Sequence, residues 1–117
     1  MVVEDDDLIR ESLAELLSDE GYQVATATNG KEALDTLLPH TARRPCLIVL
    51  DLMMPVMNGW EFIAAKKSNL ALSPIPVVVV SAAGERSRGV EAAAILNKPF
   101  DWRALLSLIQ RYCNGSA

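Results

Sequence analysis

The sequence has almost none of the residues on which soft-metal and thiol chemistry depend. It holds one histidine and two cysteines. Cys46 and Cys113 lie far apart with neither a C-x-x-C pair nor a histidine beside them, which excludes the usual zinc and dithiol arrangements. Both are expected as reduced thiols, with Cys46 inside a core strand. His40, between Pro39 and "TARRP", has no neighbour to orient it and reads as an exposed loop residue. A long apolar run is also missing: nothing approaches the roughly 18 residues that span a bilayer. The acidic start "MVVEDDD" is the opposite of a secretory leader. A soluble, cytoplasmic protein without membrane contact is expected. Basic excess is absent too, since 11 Lys and Arg stand against 15 Asp and Glu for a net charge of −4. No basic cluster exceeds the pair Arg43 and Arg44, which argues against a nucleic-acid surface.

What the chain does have is apolar bulk in short, ordered pieces. Half of its 117 residues are hydrophobic, enough for one domain, 1–117, with a real core and no second domain. "MVV" reads as a short strand, and Ile9, Leu13, Leu16 and Leu17 then recur at helical spacing until Gly21. "YQVATA" from Tyr22 is a weak second strand, followed by a helix capped by Asn29 that carries Ala33, Leu34, Leu37 and Leu38 and ends at Pro39. "CLIVLD" is a continuous branched run typical of a strand covered on both faces. Trp60, Ile63 and Ala64 mark a third helix after Gly59. "IPVVVVS" and "AAAIL" supply two more strands, and Trp102, Leu105, Leu106 and Ile109 a closing helix. Five alternating βα units imply an α/β fold with a parallel sheet and helices on both faces.

Such a sheet binds its ligands outside the carboxyl ends of the strands. The residues there are Glu4 and Asp5 after the first strand, Asp51 after the third, Ser81 after the fourth and Lys98 after the fifth. If the first and third strands are neighbours, three carboxylates converge and repel unless a cation joins them. An oxygen-only set with room for waters suits Mg²⁺. Burying an unpaired carboxylate at Asp51 would cost several kcal/mol, so a metal and Lys98 are expected to compensate it. Asp6 and Asp7 continue the acidic run but fall where the first helix begins, and capping with a favourable dipole is their expected role.

At this point the chain resembles a known family, the receiver domain of two-component response regulators, and is chemotaxis-regulator-like. The matching pieces are "VVEDD" at 2–6, "VLDLMMPVMNGWE" at 49–61, "VVVVSA" at 77–82 and "NKPF" at 97–100. The resemblance implies a flavodoxin-like, doubly wound five-stranded sheet in the order 2-1-3-4-5. It implies that Asp51 accepts a phosphoryl group from a phosphohistidine, with Ser81 and Lys98 as its catalytic companions. Mg²⁺ would be held by Glu4, Asp5, Asp51 and the backbone carbonyl of Met53. Gly59 would permit the turn after Asp51, and the Lys98–Pro99 bond would be cis, aiming the lysine inward. Implied partners are a sensor histidine kinase or phosphotransfer protein, an output partner that the sequence does not name, and a second copy in a homodimer. By family analogy Met53 and Ala83 stand where the lifetime of the phosphoryl group is tuned, and neither side chain can hold an attacking water.

Two other functions use similar residues. A small Mg²⁺-dependent phosphatase or phosphotransferase would need a substrate cap and a second acid two residues after Asp51, where Met53 stands instead. A pseudo-receiver, an interaction module without phosphorylation, would have no use for the intact set Glu4, Asp5, Asp51, Ser81 and Lys98. The chain also departs from the family. Ile95 stands three residues before Lys98, where receivers commonly place an aromatic ring, and Ser81 and Lys98 are separated by fewer residues than usual. Residues 83–91 contain Gly84 and Gly89, each costing up to about 1 kcal/mol in a helix interior. A shortened fourth helix of at most about two turns is therefore expected.

Overall fold

Valine, isoleucine and leucine make up the short apolar runs, and such side chains fit a pleated surface that is buried on both faces. The computed structural model describes residues 1–39, 43–82, 84–87 and 89–114, with only the backbone of Glu85 and Arg86. His40 and Ala83 lie outside the described residues. Five parallel strands form one sheet in the order β2-β1-β3-β4-β5. They are β1 (Val2–Val3), β2 (Thr26–Ala27), β3 (Ile48–Leu50), β4 (Val77–Ser81) and β5 (Ala94–Asn97). Val2 and Val3 stand opposite Thr26 and Ala27 on one side and Val49 and Leu50 on the other. The helices are α1 (Asp7–Asp19), α2 (Gly30–Leu37), α3 (Gly59–Lys67) and α4 (Trp102–Cys113).

Strand alternation divides the core in two. Val2, Val49, Val78 and Val80 face Leu13 and Leu17 of α1 and Leu105 and Ile109 of α4. Val3, Ile48, Leu50, Val77 and Val79 face Ala33 and Leu37 of α2 and Phe62 of α3. The helix starts follow local chemistry. Asp6 caps α1 by accepting from the Ile9 N–H, and Asn29 caps α2 through the Glu32 N–H. Asn58 and Glu61 form a capping box at α3, which satisfies two orphan donors reciprocally.

Several expectations need correction. On α3 the buried residue is Phe62, while Trp60 and Ile63 are only half-buried and Ala64 is exposed. Leu16 and Leu38 are exposed as well. The fourth crossover is short, as expected: among its described residues it holds no α-helix but a 3₁₀ turn, Gly84–Ser87, with left-handed glycines at its first residue, Gly84 (φ +60°), and beyond its end, Gly89 (φ +78°). Val90 and Ala92 cover part of the sheet there, and Ala93 just before β5 and Ile95 and Asn97 on it are left exposed.

The cysteines are not free. Cys46 is exposed and precedes β3 rather than lying in it, and it is disulfide-bonded to Cys113 at the end of α4, with a Cα–Cα distance of 5.3 Å. The topology explains the encounter. Each helix returns antiparallel to the strands, so the end of α4 reaches the amino edge of the sheet, where β3 begins.

Val56, in the loop between β3 and α3, has φ +67°. A left-handed backbone is a genuine outlier for a β-branched residue and costs about 1–2 kcal/mol. Its side chain is 75% exposed, so little burial is at stake. Val56→Asn is expected to raise stability by about 1 kcal/mol, measured by denaturant unfolding. A variant no more stable than the wild type would show that the loop relaxes the strain elsewhere.

Candidate functional site

β1 and β3 are neighbours, and their ends carry the acidic residues to one edge. Glu4 follows β1 and still donates its N–H to the Ala27 carbonyl at 3.0 Å, while Asp51 follows β3 and donates its N–H to Val3 at 3.0 Å. Both side chains are buried, with 1% of Glu4 and 4% of Asp51 exposed; buried charges at that level must be paired. One carboxylate oxygen from each of Glu4, Asp5 and Asp51 lies within 4.8 Å of the others.

Lys98 supplies the opposite charge. Its ammonium donates to Glu4 Oε1 at 2.6 Å and lies 3.7 Å from Asp51 Oδ2. Burial works to lower the Lys98 pKa, but the hydrogen bond to Glu4 and the charges of Asp51 and Glu4 outweigh it and the net shift is upward. The lysine is therefore a fixed cation. Its backbone N–H donates to the Ser81 carbonyl at 2.9 Å, the register pairs Ser81 with Asn97, and the Lys98–Pro99 peptide is cis. Ser81, the last residue of β4, is fully buried.

Asp5 differs from its two neighbours. It is exposed as a residue, yet partial desolvation of its carboxyl, a hydrogen bond with Glu4 and the charge of Glu4 together hold its pKa above the ordinary carboxylate value. Repulsion from like charges is the reason a dication would be welcome here. The side chains in the cluster offer oxygen alone, and the exposed Asp5 leaves it open to water on one side. Both features fit a hard cation that keeps part of its hydration shell, such as Mg²⁺.

The loop after Asp51 is held by backbone contacts. The Met53 N–H donates to Asp51 Oδ1 at 3.3 Å, while the Met53 side chain is exposed. The Gly59 N–H donates to the Leu52 carbonyl at 2.9 Å. A Cβ at Gly59 would lie 2.5 Å from the Asp51 carbonyl oxygen and 2.7 Å from Leu52 Cα. Gly59 is thus needed for space, not for a left-handed turn. Gly59→Ala is expected to lower stability by about 1–3 kcal/mol and to displace Asp51. Equal denaturation midpoints for variant and wild type would contradict that close approach.

All six residues marked out in the sequence, Glu4, Asp5, Asp51, Met53, Ser81 and Lys98, stand on one edge of the sheet. Sequence reasoning missed Arg10. Its guanidinium donates to the Glu4 carbonyl at 2.9 Å and reaches the Asp5 carbonyl at 3.5 Å, and it is ion-paired with Asp7. The i, i+3 spacing of Asp7 and Arg10 was the available signal.

Comparison with known proteins agrees with this arrangement. The model of the response regulator receiver domain matches residues 1–110. Over 114 residues the chain is 40% identical to "Probable transcriptional regulator ycf29" of Pyropia yezoensis, covering 93% of this chain and 50% of that protein. The signal receiver domain of a signal transduction histidine kinase from Syntrophus aciditrophicus superposes with a TM-score of 0.87 at 31% identity, covering 97% of this chain and 88% of that one. The response regulator TrrA of Thermotoga maritima, solved with Mg²⁺-BeF, gives a TM-score of 0.79 at 28% identity, with 95% of each chain covered. The chain spans about half the length of the curated relatives it matches. No helix among the described residues is long and apolar enough to cross a membrane.

Proposed function

Because the chain belongs to the response regulator receiver domain family of two-component systems, we propose that Asp51 is its phosphoacceptor and that a histidine kinase or phosphotransfer protein is the donor. The observation that carries this reading is the convergence at one sheet edge of Asp51, two further carboxylates within 4.8 Å and the Lys98 ammonium. An oxygen of the Asp51 carboxylate attacks phosphorus as the phosphorus–nitrogen bond of the phosphohistidine breaks, and the imidazole leaves with a proton. Lys98 and the Ser81 hydroxyl bind the phosphoryl oxygens at their new position. Glu4, Asp5, Asp51 and the Met53 carbonyl would hold Mg²⁺, which supplies positive charge to offset that of the phosphoryl group. Phosphoryl transfer needs little else from the protein than this positioning. The changed charge on Asp51 then alters which partners the domain engages, whether an output partner or a second copy of the chain.

Incubating the chain with a small-molecule phosphodonor and Mg²⁺ and recording the intact mass tests the reading. A single added phosphoryl group on the protein is expected. Unchanged mass fits a pseudo-receiver, and rapid consumption of donor with no covalent product fits a phosphatase; either overturns the proposal.

Magnesium alone should also leave a mark. Binding to the native state stabilises by about 1.4 kcal/mol at ten times the Kd, or about 5 °C in Tm. The wild type is expected to show this rise and Asp5→Ala much less of it. Equal shifts would remove Asp5 from the metal set.

A further inference from the structure

We propose that Arg10 is a positioning residue for the acidic pair: by holding the carbonyls of Glu4 and Asp5 it keeps both carboxylates turned toward Asp51, and the affinity of the site for Mg²⁺ depends on it. The inference rests on the reading that Glu4, Asp5 and Asp51 hold the cation.

The Glu4 carbonyl belongs to the planar peptide unit that joins Glu4 to Asp5. Fixing that plane fixes the direction in which both Cα atoms present their side chains. The strand does part of this, because the Glu4 N–H pairs with Ala27. Beyond Glu4 the chain leaves the sheet, and there Nη1 of Arg10 takes the Glu4 carbonyl at 2.9 Å and approaches that of Asp5 at 3.5 Å. Its second nitrogen is held by Asp7. A planar guanidinium fork makes these contacts from one rigid group, and its burial agrees: the Arg10 side chain is 12% exposed, whereas its partner Asp7 is 80% exposed. Without that hold, Asp5 is free to swing away from Glu4, as two like charges favour.

The rival account is an ordinary ion pair on the surface of α1, worth a few tenths of a kcal/mol. The two accounts differ in sign. Arg10 is a cation beside a dication site, so on charge alone its removal tightens Mg²⁺. If Arg10 works by holding the backbone, its removal weakens Mg²⁺.

The experiment is a Mg²⁺ titration of the full chain, wild type, Arg10→Ala and Arg10→Lys, followed by Tm and by tryptophan fluorescence, since Trp60 borders the same depression as Asp5. Outer partners of metal ligands typically change affinity by 10-fold or more, so Arg10→Ala is expected to raise half-saturating Mg²⁺ by about tenfold. Arg10→Lys should fall between, because one ammonium can still take the Glu4 carbonyl. The loss of phosphorylation rate should be greatest at low Mg²⁺ and shrink as Mg²⁺ rises, the behaviour of a changed affinity. Unchanged or tighter Mg²⁺ in Arg10→Ala overturns the inference; if that variant does not fold, the same result in Arg10→Lys overturns it. A wild type that binds Mg²⁺ while both variants match it leaves the functional reading standing and this inference refuted. A wild type with no Mg²⁺ response refutes both.

Discussion

Asp51→Asn is expected to abolish uptake of the phosphoryl group while leaving the fold intact. The amide that replaces the carboxylate is not a competent nucleophile for phosphorus, and neither of the nearby acids can substitute. Glu4 is fully buried and engaged by Lys98 at 2.6 Å, and Asp5 projects from the loop beyond β1. The fold survives because Asn keeps an oxygen for the Met53 N–H, now bonded to Asp51 Oδ1 at 3.3 Å. Removing one of three clustered charges also relieves repulsion, so stability without Mg²⁺ is expected to hold or rise. Intact mass after incubation with a phosphodonor checks the first point and thermal unfolding the second. A variant phosphorylated at the wild-type rate would remove Asp51 from its role.

Reduction of the Cys46–Cys113 disulfide carries the largest expected effect on stability. The bond closes a loop of 67 residues, and a loop of that size restricts the unfolded chain by about 4 kcal/mol in the chain-entropy account. Adding a dithiol reductant, or replacing Cys46 by Ser, should therefore lower Tm by about 15 °C. The native state should change little at the site, because Cys46 and Cys113 lie at the opposite edge of the sheet. Equal Tm values with and without reductant, with the thiols shown to be free in the reduced sample, would mean that the bond does not constrain the unfolded chain.

The architecture was legible because its signals are local. Branched runs at Ile48–Leu50 and Val77–Ser81 mark buried strands, and the caps at Asp6 and Asn29 mark where helices begin. The site was legible for a related reason: in a parallel sheet the residue that ends a strand is delivered to the binding edge whatever the loops do. What failed depended on distant partners. Phe62 was passed over because the phase of α3 is set by the sheet it packs on, and Trp60 and Ile63 read equally well as its inner face. The encounter of Cys46 with Cys113 required knowing where α4 ends in space. Arg10 was missed since the contacts that tie it to the site are to backbone carbonyls, and its only mark in sequence is the i, i+3 spacing to Asp7. The shortened fourth crossover was foreseen from Gly84 and Gly89, although its tightening to a 3₁₀ turn was not.

The most direct measurement of the central claim is chemical trapping of the phosphorylated protein. An aspartyl phosphate is reduced by borohydride to homoserine, whereas an unmodified aspartate and a phosphoserine are not. The protein would be incubated with phosphodonor and Mg²⁺, reduced, digested and sequenced by mass spectrometry. Homoserine at position 51, dependent on both phosphodonor and Mg²⁺, is the predicted result. Homoserine at Asp5, its one-carbon-longer counterpart 2-amino-5-hydroxypentanoic acid at Glu4, or no reduced residue at any position in a protein that has gained a phosphoryl group, would contradict the account.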